Sequence, residues 1–333
     1  VSTQWPLRPS YGGHPKKKIR EMEKVVEKPL FNNEASSDGV FGEGDLAVEV
    51  TNVKKGSSNA PSPLLLVSPI IPRKYPVLLF FHGFLIKPIW YKSLLQLISS
   101  HGYIIVAPKF SSLISQSDEV KKAAKVTEWL SEGLSSVLPE KVQPNLLKVA
   151  VSGHSRGGKI AFALALEYGN STPTPLQFQA LLGIDPVAGS SPSIRSAPKI
   201  LQYIPRSFDQ SVPVAVIGAG LANQRAHGIF PPFAPNGVNH SQFFNESKPP
   251  CYYFLARDYG HTDLLDDNIA ALASLVAKSG KGSKELFRKA IAGIVVAFLE
   301  VKLEGQVDHL NDIVKTPSLA PITFHPVISI SNN

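Results

Sequence analysis

Lys148-Val-Ala-Val-Ser-Gly-His-Ser-Arg-Gly-Gly158 is the stretch of this sequence that decides the fold. An apolar, strand-like run leads into the pattern G-x-S-x-G, and the helical run Lys159-Ile-Ala-Phe-Ala-Leu-Ala-Leu-Glu167 follows. A strand-to-helix turn this tight strains the backbone of the central serine and leaves no space for side chains two residues away on either side, which explains Gly153 and Gly157. The pattern predicts that Ser155 projects its Oγ above a sheet edge, beside the positive end of a helix. A glycine-rich turn without chemistry is the alternative.

Apolar runs rich in β-forming residues alternate with helical patterns along the rest of the chain. Residues Val126, Leu130, Leu134 and Leu138 recur every four positions, which predicts an amphipathic helix, and a last helix is predicted over 284–301. This order predicts an α/β fold, with a mostly parallel central sheet of about eight strands flanked by helices on both faces. The predicted strands are 46–53, 63–70, 76–81, 103–107, 148–152, 180–184, 212–217 and 252–255.

The composition fits one large domain and excludes several classes of protein. With 333 residues, 43% hydrophobic and 18% charged, the chain is not a disordered protein. Its longest apolar run, 290–299, is shorter than the roughly 18 residues that a membrane-spanning helix needs. The net charge of +8 permits nucleic-acid binding, but neither zinc-ligand spacing nor an RNP motif supports it, so we expect no nucleic-acid partner.

One end of the chain and one insertion differ in composition from this alternating pattern. Residues 1 to about 44 mix Pro, Gly, Ser and charges without an apolar period, which predicts a tail over the surface. An insertion over 218–251 is too apolar for an ordinary exposed loop, which predicts a lid-like roof over a hydrophobic pocket; a satellite packing cluster is the alternative.

His261 is the predicted general base. When a serine in such a strand-to-helix turn is the nucleophile, its general base lies on a loop after a late strand. Among the histidines beyond Ser155, only His261 directly follows a strand and precedes a helix-like segment, 264–276. A metal cluster is the alternative for His261, but no second histidine sits at ligand spacing and acidic residues near a helix start are typical of first-turn capping, so we expect no metal or cofactor. The acidic residues concerned are Asp258, Asp263, Asp266 and Asp267, and the histidines set aside are His227 and His240 in a proline-rich loop and His309 and His325 beyond the last helix.

The orienting acid is predicted one strand earlier than usual. The loop after strand 212–217 contains no carboxylate, whereas Asp185 directly ends the apolar run 180–184 and can reach the same imidazole. A turn aspartate held by the following proline is the alternative for Asp185, and Asp209 and Asp258 are weaker candidates. Ser155, His261 and Asp185 together predict an acyl-enzyme mechanism on an ester.

Two backbone N–H groups are predicted to stabilise the oxyanion. One belongs to Arg156, the residue after the nucleophile, and the other to Phe84, which follows His82-Gly83 at the end of strand 76–81, with Leu85 as the fallback. We expect the His82 side chain to cap the strand end and the Arg156 side chain to support its loop. A bulky apolar ester is the substrate class that the residues alone predict.

Several motifs resemble those of plant chlorophyllases, a family of the α/β-hydrolase superfamily. The hexapeptide Gly153-His-Ser-Arg-Gly-Gly158 is similar to the lipase motif of that family, and segments 77–85, 100–108, 182–187 and 258–267 follow its pattern. The resemblance covers about residues 28–304, which implies an α/β-hydrolase domain over 28–304 between an N-terminal tail over 1–27 and a C-terminal extension over 305–333. It places the family's serine, aspartate and histidine on Ser155, Asp185 and His261. It implies hydrolysis of the phytyl ester of chlorophyll to chlorophyllide and phytol without a cofactor. It favours the chloroplast, with the vacuole or endoplasmic reticulum as alternatives, and a peripheral membrane contact stays open.

Two other functions stay open at this point. A generic lipase, carboxylesterase or cutinase-like enzyme on aliphatic esters has the same elbow, and only the wider resemblance argues against it. A hydrolase-fold receptor that binds an amphiphile without catalysis belongs to another class. Such receptors commonly lack the base, so the intact Ser155, Asp185 and His261 argue against this reading.

Overall fold

A computed structural model describes residues 24–25, 39–111, 113–168 and 176–332, and these contain a ten-stranded sheet. Apart from residues 24–25, the predicted N-terminal tail over 1–27 lies outside the described residues. The order across the sheet is β1-β2-β3-β5-β4-β6-β7-β8-β9-β10. The strands are β1 (Lys24–Val25), β2 (Val48–Val53), β3 (Leu64–Pro69), β4 (Lys74–Phe81), β5 (Ile104–Pro108), β6 (Gln143–His154), β7 (Phe178–Ile184), β8 (Val214–Ala219), β9 (Cys251–Ala256) and β10 (Phe324–Ile330).

The centre of the sheet is parallel and its edges are antiparallel. Strands β5, β4, β6, β7, β8 and β9 pair in parallel, whereas β1, β2 and β3 at one edge and β10 at the other are antiparallel to their neighbours. All eight predicted strands are present, with ends shifted by a few residues. The predicted α/β-hydrolase fold is therefore confirmed, with β1 and β10 as additional edge strands.

Helices cover both faces of the sheet. Leu78 and Phe80 of β4 belong to one core cluster, which also contains residues of α1 (Lys92–Ser100) and α6 (Lys284–Leu299). Val77, Leu79 and Phe81 of β4 belong to the cluster on the opposite face, with α2 (Gln116–Glu132) and α3 (Arg156–Ala165). None of the described helices combines the length and hydropathy that crossing a membrane requires. The helices are α1 (Lys92–Ser100), α2 (Gln116–Glu132), α3 (Arg156–Ala165), α4 (His240–Glu246), α5 (Asp267–Ala273), α6 (Lys284–Leu299) and α7 (Asp308–Lys315).

The helix predicted from the four-residue repeat 126–138 is wrong at its end. Helix α2 ends at Glu132, and a separate 3-10 turn follows over Leu134–Val137. The break falls at Gly133, where a Cβ would lie 2.5 Å from the Ser58 carbonyl oxygen, the acceptor of the Trp129 indole N–H. The repeat therefore marks two elements that face one core.

Strand β10 is the element that the sequence did not predict. It pairs antiparallel with β9, with a register shift between Phe324 and Val327, so residues beyond 304 contribute α7 and an edge strand to the same sheet. A proline inside a run argues against a central strand, and Pro326 lies within this one. Phe324 is 4% exposed and packs edge-on against Phe254, so the strand is anchored at one end.

We expect Phe324→Ala to lower the free energy of unfolding by about 3–5 kcal/mol, because it leaves a cavity against Phe254. Ile328→Ala on the same strand is the matched control, since this side chain is 36% exposed and should cost much less. Urea unfolding at neutral pH measures both. Equal midpoints for the two variants would mean that β10 does not stabilise the domain.

Candidate active site

Ser155 lies at the turn from β6 into α3 with a backbone φ of 57° and ψ of −124°. A positive φ is strained for a serine. The turn closes because its neighbours are glycines: a Cβ at Gly153 would lie 2.3 Å from the Gly157 carbonyl oxygen, and a Cβ at Gly157 would lie 2.1 Å from that of Phe81. The strained turn therefore requires glycine on both sides, as the sequence pattern indicated.

Three side chains from different loops form one hydrogen-bond chain at the carboxyl edge of the sheet. His261 Nε2 lies 2.8 Å from Ser155 Oγ, and His261 Nδ1 lies 2.5 Å from Asp185 Oδ2. Ser155, Asp185 and His261 are 8%, 2% and 3% exposed, so little water competes for these bonds. The arrangement has the geometry that a nucleophile, a base and an orienting acid require.

Asp185 is held in its ionised form. Burial would raise the pKa of this carboxyl group, but the hydrogen bond and charge of His261 and the hydrogen bond from the Ala219 N–H outweigh burial and lower the pKa below its ordinary value. The Ala219 N–H donates to Oδ1 over 3.2 Å. A carboxylate held in this way can stabilise an imidazolium at His261.

His240 is a residue of the site that sequence reasoning missed. It was placed in a proline-rich loop, but it begins α4, and its Nε2 lies 3.7 Å from Asp185 Oδ1. Because Nε2 faces a carboxylate, the neutral ring carries its proton there, and Nδ1 accepts the Tyr253 hydroxyl over 2.8 Å. Burial lowers the pKa of His240, which favours its neutral form. Gly218 was the available signal: a glycine ending a buried strand indicates a close approach, and a Cβ there would meet the His240 ring at 2.5 Å.

A second buried hydrogen-bond chain joins the loops of the site behind the reacting groups. The Gly83 N–H donates to the Tyr91 hydroxyl over 3.0 Å, Tyr91 donates to His154 Nδ1 over 2.8 Å, and His154 Nε2–H donates to the His261 carbonyl over 2.9 Å. Burial lowers the pKa of His154 well below its ordinary value. Its ring, 4.5 Å from that of His261, is therefore neutral and does not oppose a positive charge on His261.

The loop expected to supply one oxyanion donor runs beside the nucleophile. A Cβ at Gly83 would lie 3.2 Å from Ser155 Cβ. The His82 side chain donates from Nδ1 to the Gly83 carbonyl and accepts the Phe110 N–H at Nε2, so it caps the strand end as expected. Because Tyr91 takes the Gly83 N–H, the predicted donor in this loop is the next residue, Phe84.

The acidic cluster after His261 differs from the first-turn cap that the sequence indicated. Asp263 is fully buried and accepts hydrogen bonds from the N–H groups of Gly260 and Gly280 and from the Ser279 hydroxyl. Its ion pair with Lys284, at 3.0 Å, connects the loop of the base to α6. The prediction of a first-turn capping carboxylate is therefore wrong for Asp263. Within the described ranges, no group of three or more His, Cys, Asp or Glu side chains could hold a metal ion.

The insertion over 218–251 divides into two parts. Phe243 in α4 is fully buried and packs edge-on against Phe162, so this part belongs to the core. Phe230 and Phe233 remain 37% and 39% exposed, and the Phe233 ring lies 6.0 Å from that of His261. The part with Phe230 and Phe233 therefore borders the site, and the part with Phe243 packs in the core on the α3 face of the sheet.

The parallel sheet, the strained serine turn and the Ser–His–Asp hydrogen-bond chain at its carboxyl edge define a serine hydrolase of the α/β-hydrolase class. The profile of the chlorophyllase family matches residues 36–331. Chlorophyllase-1 of Arabidopsis thaliana is 39% identical over 314 residues, which cover 92% of this chain and 96% of that protein. Chlorophyllase-2 of the same plant is 41% identical over 265 residues, 77% and 82% of the two chains. Chlorophyllase type 0 of Chenopodium album is 41% identical over 313 residues, 89% and 87%.

The chain belongs to the chlorophyllase family. The resemblance noted in its motifs is thus confirmed, and the protein is a serine carboxylic-ester hydrolase.

We expect Asp263→Asn to lower the free energy of unfolding by about 3 kcal/mol, because it breaks a buried ion pair. Asp258→Asn is the control: this side chain is 60% exposed in its pair with Arg257, and its loss should cost less than about 0.5 kcal/mol. Urea titration of both variants checks the difference. If Asp263→Asn unfolded at the wild-type midpoint, the ion pair with Lys284 would not stabilise this loop.

Proposed function

We propose that the protein hydrolyses the phytyl ester of chlorophyll to chlorophyllide and phytol, with Ser155 as nucleophile, His261 as base and Asp185 as orienting acid. The observation that carries the assignment of roles is the hydrogen-bond chain of 2.8 Å and 2.5 Å through these three side chains. Membership of the chlorophyllase family supports the choice of substrate.

The first half of the reaction releases the alcohol. His261 Nε2 takes the proton of Ser155 Oγ, which attacks the ester carbonyl, and Asp185 stabilises the resulting imidazolium. The tetrahedral oxyanion accepts hydrogen bonds from the backbone N–H groups of Phe84 and Arg156. As the carbonyl reforms, the bond to the phytyl oxygen breaks, and His261 gives its proton to the departing phytol.

The second half releases the acid by the same groups. Water takes the place of phytol, His261 removes one of its protons, and the resulting hydroxide attacks the acyl carbonyl on Ser155. His261 then returns the proton to Ser155 Oγ as chlorophyllide leaves. Neutral His154 and His240 beside the triad leave His261 as the imidazole that takes up the proton.

Exposed apolar side chains stand at the same edge of the sheet as the triad and support a large apolar substrate. We call them the apolar rim. They stand on the loops that follow the carboxyl ends of β4, β5, β7, β8 and β9. Contacts tie these loops together at the site: Phe84 stacks on Arg156, Phe233 faces His261, and His227 lies 3.3 Å from the Ser274 carbonyl. The rim consists of Phe84, Leu85, Ile89, Leu113, Ile194, Ile229, Phe230, Phe233, Leu272, Leu275 and Val276.

The charges on the same loops support a peripheral contact with an anionic membrane surface, through the rim. The exposed carboxylates there are each paired with a basic side chain: Asp209 with Lys248, Asp258 with Arg257 and Asp267 with Arg288. Basic side chains beside exposed apolar ones favour binding at the headgroup boundary of an anionic bilayer. The exposed basic residues on these loops are Lys87, Lys109, Lys199, Arg225, Arg257, Lys278 and Lys281.

Purified protein with chlorophyll a tests the function, and we expect chlorophyllide to form with a kcat/KM above that for p-nitrophenyl esters. Asp185→Asn should lower kcat by about 10⁴, because the wrong imidazole tautomer of His261 is then favoured. Ser155→Ala should be at least as damaging. Asp209→Asn is the control, since Asp209 is 95% exposed and pairs with Lys248.

Preference for short-chain esters without chlorophyllide would reject the substrate. Turnover that survived Asp185→Asn but not Asp209→Asn would reject the acid.

We expect replacement of Leu113 and Leu275 by serine to weaken binding to vesicles of phosphatidylcholine and phosphatidylglycerol by at least about tenfold, since each buried leucine contributes about 1.5–3 kcal/mol. Leu147→Ser is the control, because Leu147 is 82% exposed but lies near the opposite end of β6. Co-sedimentation measures binding. Equal binding by all variants would show that the apolar rim does not contact the membrane.

A further inference from the structure

The side chain of Arg156 joins three segments around the nucleophile. Its Nε donates to Glu119 Oε2 over 2.6 Å, and its Nη2 donates to the Ile114 carbonyl over 2.9 Å. The Arg156 side chain is 13% exposed and that of Glu119 is 3% exposed, so the pair is largely withdrawn from water. The first residue of α3 is thereby fixed to α2 and to the loop that precedes it.

The planar face of the same guanidinium packs against the ring of Phe84. Arg156 Cζ lies 5.3 Å from the centroid of the Phe84 ring, a cation–π contact. The Phe84 residue is otherwise 51% exposed. It lies in a turn closed by the Ile86 N–H and the Gly83 carbonyl, next to Leu85 with its φ of 58°. Arg156 therefore contacts the one side chain of this turn whose backbone N–H is proposed to bind the oxyanion.

We infer that the Arg156 side chain is a positioning residue that holds the two oxyanion donors, its own N–H and that of Phe84, at a fixed separation. The inference rests on the donors assigned under the proposed function. Oxyanion stabilisation requires both N–H groups within about 2.7–3.1 Å of the oxyanion position, so a small displacement of either one lowers the rate. The guanidinium sets both positions because it is bonded to Glu119 and stacked on Phe84.

Lysine cannot replace arginine in this role, although it keeps the charge. The guanidinium is planar and bonds two acceptors in fixed directions while its face stacks on a ring, whereas an ammonium is a point charge on a flexible stem. Arg156→Lys therefore separates positioning from a simple effect of positive charge near the oxyanion. Phe84→Ala removes the stack and leaves the pair with Glu119 in place, and it replaces an exposed side chain.

The test compares p-nitrophenyl butyrate with its thionoester, in which sulfur replaces the carbonyl oxygen. Sulfur accepts hydrogen bonds weakly, so the oxygen-to-sulfur rate ratio reports the donors themselves. We expect Arg156→Lys to lower kcat on the oxygen ester by roughly 10–100-fold, below the ~10²–10³ for complete loss of one donor, with KM changed less than about threefold. The rate ratio should fall by a similar factor, and Phe84→Ala should lower it in the same direction.

Arg206→Lys is the matched control. Arg206 also stacks on a phenylalanine, Phe244, at 5.3 Å and donates to two backbone carbonyls, but it lies at the far end of α4 from His240. This variant should keep the wild-type rate ratio.

Three outcomes would overturn the inference, and they differ in what else they reject. A wild-type ratio in Arg156→Lys would reject the positioning role and leave the proposed donors and function intact. An equal loss on both esters would assign Arg156 a purely structural role. A wild-type enzyme that did not discriminate between the two esters would reject the donors themselves. Because the assay uses butyrate esters, failure with chlorophyll would not affect it.

Discussion

Both backbone hydrogen-bonding groups of Ser155 are bonded to the chain on either side of Asp185. The Ser155 N–H donates to the Ile184 carbonyl over 3.0 Å, and the Ser155 carbonyl accepts the Val187 N–H over 3.1 Å. The positive φ of Ser155, 57°, is a strained conformation that costs about 1–3 kcal/mol, which the surrounding bonds and contacts must outweigh. The same backbone arrangement that holds Ser155 in its strained turn thus also sets the position of Asp185, and the hydrogen bonds of His261 join the two.

Burial and hydrogen bonding determine which side chains of this site are ionised. Burial lowers the pKa values of His82, His154 and His240, and each of the three has hydrogen-bond partners that suit a neutral ring. Asp185 is the exception, because its partners favour the ionised carboxylate. One negative charge therefore faces His261, and the imidazoles of His154 and His240 beside the triad are neutral. A positive charge that forms on His261 has a single stabilising partner and no competing cation among these rings.

Local patterns allowed much of the fold and of the triad geometry to be predicted. Gly153 and Gly157 mark a turn by their spacing, Asp185 directly follows an apolar run, and His261 lies on the short loop after the last predicted strand. The residues that were missed act through contacts distant in sequence. Tyr91 reaches His154 across 63 positions, and Asp263 is buried by a loop and a helix that lie beyond it. No local period records such contacts. Strand β10 was missed for a different reason, because Pro326 interrupts its local strand pattern.

The place of the acid at the end of β7 follows from what occupies the end of β8. A Cβ at Gly218 would meet the His240 ring at 2.5 Å, and a Cβ at Gly220 would lie 2.3 Å from the Arg257 carbonyl oxygen. These two positions must be glycine so that α4 and the end of β9 can approach, and neither can carry a carboxylate. Strand β8 instead contributes a backbone donor, the Ala219 N–H, to Asp185. The proposed acid lies one strand earlier because the end of β8 leaves no position for a carboxylate and instead donates a backbone hydrogen bond to Asp185.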